Sequence, residues 1–233
     1  MKKILSLVLA AMLVLAMGIT AFAVEGDYTG KTVILHTNDV HGKIEDYAKV
    51  AALVDEYEAA GAEVILVDAG DYSQGTVYVS MSKGADAVTM MNAAGYDIAI
   101  LGNHEFDYGM FGCMKAIDLA DYPYVSCNFH HEAEGVCGEN VLSSYELFPA
   151  GEETIAVIGI TTPETITKTT PAYFQDEEGN FIYGIAGGED GSELYIAVQK
   201  AIDDAKAAGA TKVIALGHLG DDLSSVPWTS EET

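Results

Sequence analysis

Arginine is absent. All 11 basic residues among the 233 are lysines, set against 36 aspartates and glutamates, for a formal charge of −25. That balance argues against a nucleic-acid partner, because binding a phosphate backbone needs a basic surface that releases condensed counterions. It also removes the planar guanidinium fork with which proteins commonly grip anionic groups. Cysteine is scarce: Cys113, Cys127 and Cys137 are odd in number and show no Cys-x-x-Cys or Cys/His zinc spacing. In an oxidising compartment Cys127 and Cys137 can close a short loop, leaving Cys113, inside an apparent helix, as a buried free thiol. Internal repeats, heptads and low-complexity tracts are missing as well. The long apolar run, Ile4 to Met17, is short for a membrane span and is followed by no stop-transfer charges.

What that run does fit is a secretory signal. Lys2 and Lys3 precede it, and Ala21-Phe22-Ala23 supplies small residues around a cleavage point. Residues 1–23 are therefore expected to be a signal peptide and the mature protein to be secreted, extracellular or in the cell envelope, without stable membrane insertion. No cysteine near the cleavage point invites a lipid anchor. Cleavage would remove two lysines and no acids, so the mature chain is more acidic still, as suits a solvated extracellular surface. Residues 24–233 are long enough to bury a full core as one domain.

Apolar β-branched runs at Val33–His36, Val64–Asp68, Ile98–Leu101, Tyr124–Cys127, Ile155–Ile160 and Val213–Leu216 read as strands. Between them, three- and four-residue apolar spacing marks helices at Lys49–Ala60, Asp86–Ala94, Met110–Leu119 and Leu194–Ala208. Gly61, Gly95 and Gly209 follow three of these helices, where a left-handed cap is expected. Such alternation predicts an α/β fold, a mainly parallel β-sheet with flanking helices. His130–Ser144 and Pro171–Gly191 read as surface loops, with His130 and His131 exposed and not ligands.

Three strand ends carry polar clusters: Asn38-Asp39-Val40-His41-Gly42, Gly70-Asp71-Tyr72 and Gly102-Asn103-His104-Glu105-Phe106-Asp107. In parallel α/β sheets the carboxyl ends of strands line the ligand crevice, so the clusters should converge. Carboxylate oxygen and imidazole nitrogen together suit divalent Mn, Fe, Co or Zn, and one carboxylate can bridge two ions. Asp39 and His41, two residues apart, would share a face if the strand continued. Gly70 would let the backbone turn sharply into Asp71.

The run Val33-Ile34-Leu35-His36-Thr37-Asn38-Asp39-Val40-His41-Gly42, then Asp68-Ala69-Gly70-Asp71, then Gly102-Asn103-His104-Glu105-Phe106-Asp107-Tyr108-Gly109 resembles the 5′-nucleotidase branch of the calcineurin-like metallophosphoesterases. Gly159-Ile160-Thr161-Thr162-Pro163-Glu164 and Leu216-Gly217-His218 extend the likeness over roughly Thr32 to Gly220. The resemblance implies a metallophosphoesterase-type sandwich and two divalent metal ions. Asp39, His41 and Asp71 would hold one ion; Asp71, Asn103 and His218 would hold the other, with Asp71 bridging. A water activated between ions about 3.5–4 Å apart would attack phosphorus in line. His104 would stabilise the phosphoryl group or protonate the leaving oxygen, oriented by Asp107. His36 is assigned to core or neighbouring packing, and Glu105 is not a ligand.

The family pattern continues with a strand ending in Gly-His-x-His and with a C-terminal substrate-binding domain, neither of which is found before Thr233. Pro227–Thr233 reads as the middle of a loop, so the chain is expected to be the N-terminal part of a longer enzyme, its fold incomplete at the C-terminus. The activity implied is removal of phosphate from nucleoside 5′-monophosphates or related nucleotides. A 2′,3′-cyclic-nucleotide phosphodiesterase or UDP-sugar hydrolase would use the same core. A non-catalytic metal- or nucleotide-binding envelope module, or an inactive fragment, is the alternative from another class.

Overall fold

The structure, a computed structural model, describes residues 24–188 and 190–220; the expected signal peptide and the segment Pro227–Thr233 lie outside the described residues. Strand β2 (Glu63–Asp68) lies in the middle of a parallel sheet of order β1-β2-β3, between β1 (Thr32–Thr37) and β3 (Ile98–Ala99). Strand side chains alternate between faces. Ile65 and Val67 of β2 pack into one apolar cluster, and Leu66 between them packs into another.

The first of these clusters lies between two sheets. It joins Ile65, Val67, Ile98 and Ile100 to Ile155, Val157 and Leu216. The last three belong to a second sheet of order β6-β7-β9, made of β6 (Tyr145–Ala150), β7 (Glu153–Thr161) and β9 (Lys212–His218). Strand β6 is antiparallel to β7, and β9 runs parallel to β7. The outer face of the first sheet is covered by α1 (Glu45–Ala59), α2 (Ala85–Ala94) and α3 (Gly109–Asp118), through Tyr47, Val88, Met91 and Cys113. Helix α4 (Ser192–Ala207) covers the second sheet, its Leu194 and Ala201 packing with Ile158 and Ile160. The result is the expected α/β sandwich, in the layer order helix, sheet, sheet, helix. Leu66, Met91, Ile98, Ile158 and Leu194 are fully buried, each stabilising the fold by roughly 1.5–3 kcal/mol. Gly61, Gly95 and Gly209 take φ of +93°, +80° and +106°, as the helix-end reading requires.

Three local expectations are corrected. The segment Tyr124–Cys127 is not a regular strand but a buried tie between the sheets. Val125 N–H donates to Ala99 O of the first sheet, and Cys127 N–H donates to Gly159 O of the second. A side chain on Gly159 would strike Val125 O at 2.1 Å, so glycine makes that approach possible. The loop expected over His130–Ser144 contains a hairpin, β4 (Phe129–Ala133) and β5 (Val136–Asn140). Its two turn residues, Glu134 and Gly135, have φ of +54° and +76°, the backbone that two-residue hairpins favour. The second expected loop supplies β8 (Tyr183–Ile185), which pairs with β4 to complete a third, antiparallel sheet. Cys113 is buried and free as expected. Cys127 and Cys137 are also free, because the hairpin register sets Cys137 opposite Glu132 and away from Cys127.

Candidate metal centre

Strand β1 stops at Thr37, yet its pairing with the next chain segment continues through the loops. Ala69 N–H donates to Thr37 O (2.8 Å), Asp39 N–H to Gly70 O (3.1 Å) and His41 N–H to Asp71 O (3.0 Å). Asp39 and His41 therefore lie in a turn; the strand face they were expected to share does not exist. Their φ values are +52° and +48°, and that of Asp71 is +60°. Left-handed backbone costs a non-glycine residue about 1–2 kcal/mol, and such outliers cluster at functional sites.

The loops bearing Asp71 and Asn103 cross at two glycines, with Gly70 itself left-handed at φ +93°. A Cβ on Gly70 would lie 2.4 Å from Gly102 N, and one on Gly102 would lie 2.3 Å from Asp71 Oδ1. Beyond the crossing, His104–Phe106 form one 3-10 turn that begins after Asn103, whose main-chain oxygen accepts from Phe106 N–H (3.2 Å). His218 ends β9, where the parallel register sets it beside Thr161. Its Nδ1 donates to Ala69 O (2.8 Å), which turns Nε2 toward Asp71 Oδ2 at 3.2 Å.

Two groups of donors have ligand atoms within 4.8 Å of one another: Asp39, Asp71 and His218, and His41, Asp71 and His104. Asp71 belongs to both, the position a bridging carboxylate requires. The partition differs from the one expected, since Asp39 gathers with His218, although its Oδ1 remains 3.3 Å from His41 Nε2. These five residues and Asn103 line one cavity of about 1060 Å³. At its edge, Asp107 Oδ2 and His104 Nδ1 are 2.6 Å apart, so the expected pair is formed.

The shared acid is held ionised by its histidine neighbour. Burial pushes the Asp71 carboxyl up, but the hydrogen bond and charge of His218 outweigh it and hold it below the usual carboxylate range. Burial works against the His218 charge, yet Asp71 prevails and raises it to about 9. Burial raises Asp68, which accepts hydrogen bonds from Thr37 Oγ1 and Gly70 N–H, to about 7. Carboxylate oxygens and imidazole nitrogens gather around one shared acid, with Asp39, His41 and Asp71 on backbone held in a costly conformation and Asn103 lining the same cavity. This donor set fits divalent cations of the borderline class.

Other sequence expectations fare less well. His36 is exposed, because β1 is the edge of its sheet. His130 is buried against Asn128 O and β8, where Gly184 makes room for its ring. His131 is exposed as expected and stacks near Tyr183. Glu105 is not among the clustered donors, but it is 3% exposed and bound to four main-chain N–H groups. That role was missed; its only trace in the sequence is an acid in the middle of an otherwise buried motif.

The family model for calcineurin-like phosphoesterases matches residues 32–233. The chain belongs to that family. Human 5′-nucleotidase is 30% identical to this phosphoesterase over 240 residues, covering 93% of the chain and 38% of the relative. A snake venom 5′-nucleotidase from Gloydius brevicauda is 34% identical over 210 residues, covering 80% of the chain and 32% of the relative. Among solved structures, the 5′-nucleotidase precursor from Thermus thermophilus aligns with a TM-score of 0.65 at 27% identity, covering 80% of this phosphoesterase and 37% of that chain. The phosphoesterase chain thus spans about a third of the length of the curated relatives it matches.

Proposed function

We propose that residues 24–233 form the catalytic domain of a secreted, metal-dependent phosphohydrolase that removes phosphate from nucleoside 5′-monophosphates or related nucleotides. The observation that carries this reading is the shared acid: Asp71, 3% exposed, has a ligand atom within 4.8 Å of those of Asp39 and His218 and likewise of those of His41 and His104. Asp39, His41, Asp71, Asn103 and His218 would hold two divalent cations, which in this family supply Lewis-acid activation of water and neutralise phosphoryl charge. The metal stands unnamed, since Mn, Zn, Co and Fe all suit these donors.

The chain's own groups divide the remaining work. His218 is fixed through Nδ1 by Ala69 O, which leaves Nε2, 3.2 Å from Asp71 Oδ2, as the nitrogen that would meet a cation once its proton has left. His104 has Nδ1 committed to Asp107, so Nε2 is the nitrogen left to carry a proton toward a departing ester oxygen. That pair counts against a purely binding module, which has no use for a leaving-group acid. His104 and Lys168 line the same cavity and are groups of this chain that can offset phosphoryl charge beside the cations. Secretion rests on the Lys2–Ala23 layout and is in keeping with the snake venom relative.

The test is phosphate release from adenosine 5′-monophosphate by chelator-stripped protein to which Mn, Co or Zn is returned. Hydrolysis should require the metal and vanish in Asp71→Ala. Undiminished hydrolysis in metal-free, chelator-containing buffer would remove the basis of the proposal.

A further inference from the structure

A buried carboxylate needs a reason, because removing a charge from water is costly unless it is fully hydrogen-bonded. Glu105 has such partners, and all are main-chain amides. Oε2 accepts from Gly102 N–H (2.7 Å) and Asp71 N–H (2.9 Å); Oε1 accepts from Tyr72 N–H (3.0 Å) and Ser73 N–H (3.2 Å). A carboxylate offers about four lone-pair sites, so Glu105 has no capacity left to bind a cation directly.

The origin of the four amides matters. Three belong to the loop after β2 that carries Asp71, and the fourth precedes Asn103 in the loop after β3. The same two loops are joined by Ser73 Oγ donating to His104 O (2.7 Å) and by His104 N–H donating to Asp71 Oδ1 (2.9 Å). Asp71 holds φ +60° within this frame. A neutral side chain could close a turn. Four convergent N–H dipoles call for an anion, and satisfying them from one carboxylate locks both loops to a single point.

We propose that Glu105 is a positioning residue: its carboxylate presets the Asp71 and Asn103 loops in the geometry that receives cations, so that cation affinity depends on its charge and reach. The proposal rests on the reading that Asp71 is a metal ligand. In Glu105→Gln one oxygen is replaced by an NH2 group facing two N–H donors, which sets the loops apart while nearly preserving side-chain volume.

The experiment titrates Mn2+ calorimetrically into chelator-stripped wild type, Glu105→Gln, Asn128→Ala and Asp71→Asn, with thermal melts of each. Asn128 is a buried residue whose hydrogen bonds tie β7 to residue 186, so its loss weakens the fold without touching the two loops. Support would be Mn2+ affinity lowered about 10- to 100-fold in Glu105→Gln, the usual effect of removing a group that supports a ligand, with Asn128→Ala within about twofold of wild type. If Glu105→Gln melts earlier but binds Mn2+ like wild type, Glu105 only stabilises the fold and the proposal is overturned. Wild-type affinity in Asp71→Asn would instead overturn the ligand assignment beneath it. Should Glu105→Gln not fold, amide hydrogen exchange in the wild type decides. Asp71, Tyr72, Ser73 and Gly102 should be equally protected with and without Mn2+; protection that appears only with the metal overturns presetting.

Discussion

Gly70→Ala separates crowding at the loop crossing from backbone strain when it is set beside Gly95→Ala. Both positions are left-handed, at φ +93° and +80°. Around Gly95 nothing lies within 4 Å of a new Cβ, so alanine there costs only the conformational penalty, about 1–2 kcal/mol. In a domain of this size that is a fall in Tm of roughly 2–8 °C. At Gly70 the same penalty is joined by a Cβ 2.4 Å from Gly102 N, where ordinary contact begins near 3.4 Å. The neighbour is backbone and cannot rotate away, so the Asp71 and Asn103 loops must part by about 1 Å, at an overpacking cost of roughly 1–3 kcal/mol. A misplacement of that size can cost about 100-fold in rate. The assay is metal-dependent phosphate release, with Mn2+ affinity and thermal melts measured alongside. Gly70→Ala should lose about 100-fold in turnover and bind Mn2+ more weakly, while Gly95→Ala keeps both. Equal behaviour of the two variants would refute the idea that the crossing sets the geometry of the centre.

Asp107→Asn should lower turnover about 100-fold while leaving Mn2+ affinity within about twofold, since it alters only the partner of His104 Nδ1; weakened Mn2+ binding would show that Asp107 serves the metals. Asp68 titrates from about 7 in the folded state against 3.8 for the free side chain. Below pH 4 both states are protonated; as pH rises toward 7 the unfolded state loses the proton first, and folding loses up to about 4 kcal/mol. Asp68→Asn, compared with wild type in chelator, should therefore gain relative stability from pH 4 to 7 in denaturant titrations, and a pH-independent difference would disprove it. Glu134→Asn should raise stability by a few tenths of a kcal/mol to about 1 kcal/mol, because asparagine tolerates the left-handed turn at φ +54°; a lowered melting temperature would count against that turn.

The sequence displays the parts of this molecule whose pattern is periodic or whose chemistry sits in the side chain. Strands β1, β2, β7 and β9 and the four long helices follow from apolar spacing, and the clustered donors from three short motifs. The hairpin β4–β5 escaped because β5 is exposed along its whole length, so it has no apolar alternation to read. Tyr124–Cys127 reads as a strand because its apolar character is real, but that character serves a tie between sheets. The spacing of Asp39 and His41 allows a shared face only if the strand continues, and a dihedral of about +50° leaves no mark on a two-residue spacing. Glu105 was invisible for a related reason: its partners are backbone amides, which every residue but proline possesses.

The left-handed backbone at Asp39, His41 and Asp71 also bears on how such a centre would decay over generations. Glycine at any of these positions would relieve strain of about 1–2 kcal/mol while deleting a donor. Once selection for activity lapses, glycine is favoured by stability at Asp39 and His41, whereas at Asp71 it would also strip the acceptor from the His104 N–H. Positions 39 and 41 are thus the place to look for the earliest substitutions in copies that have lost their chemistry, well before the buried Asp71 or the apolar core begins to drift.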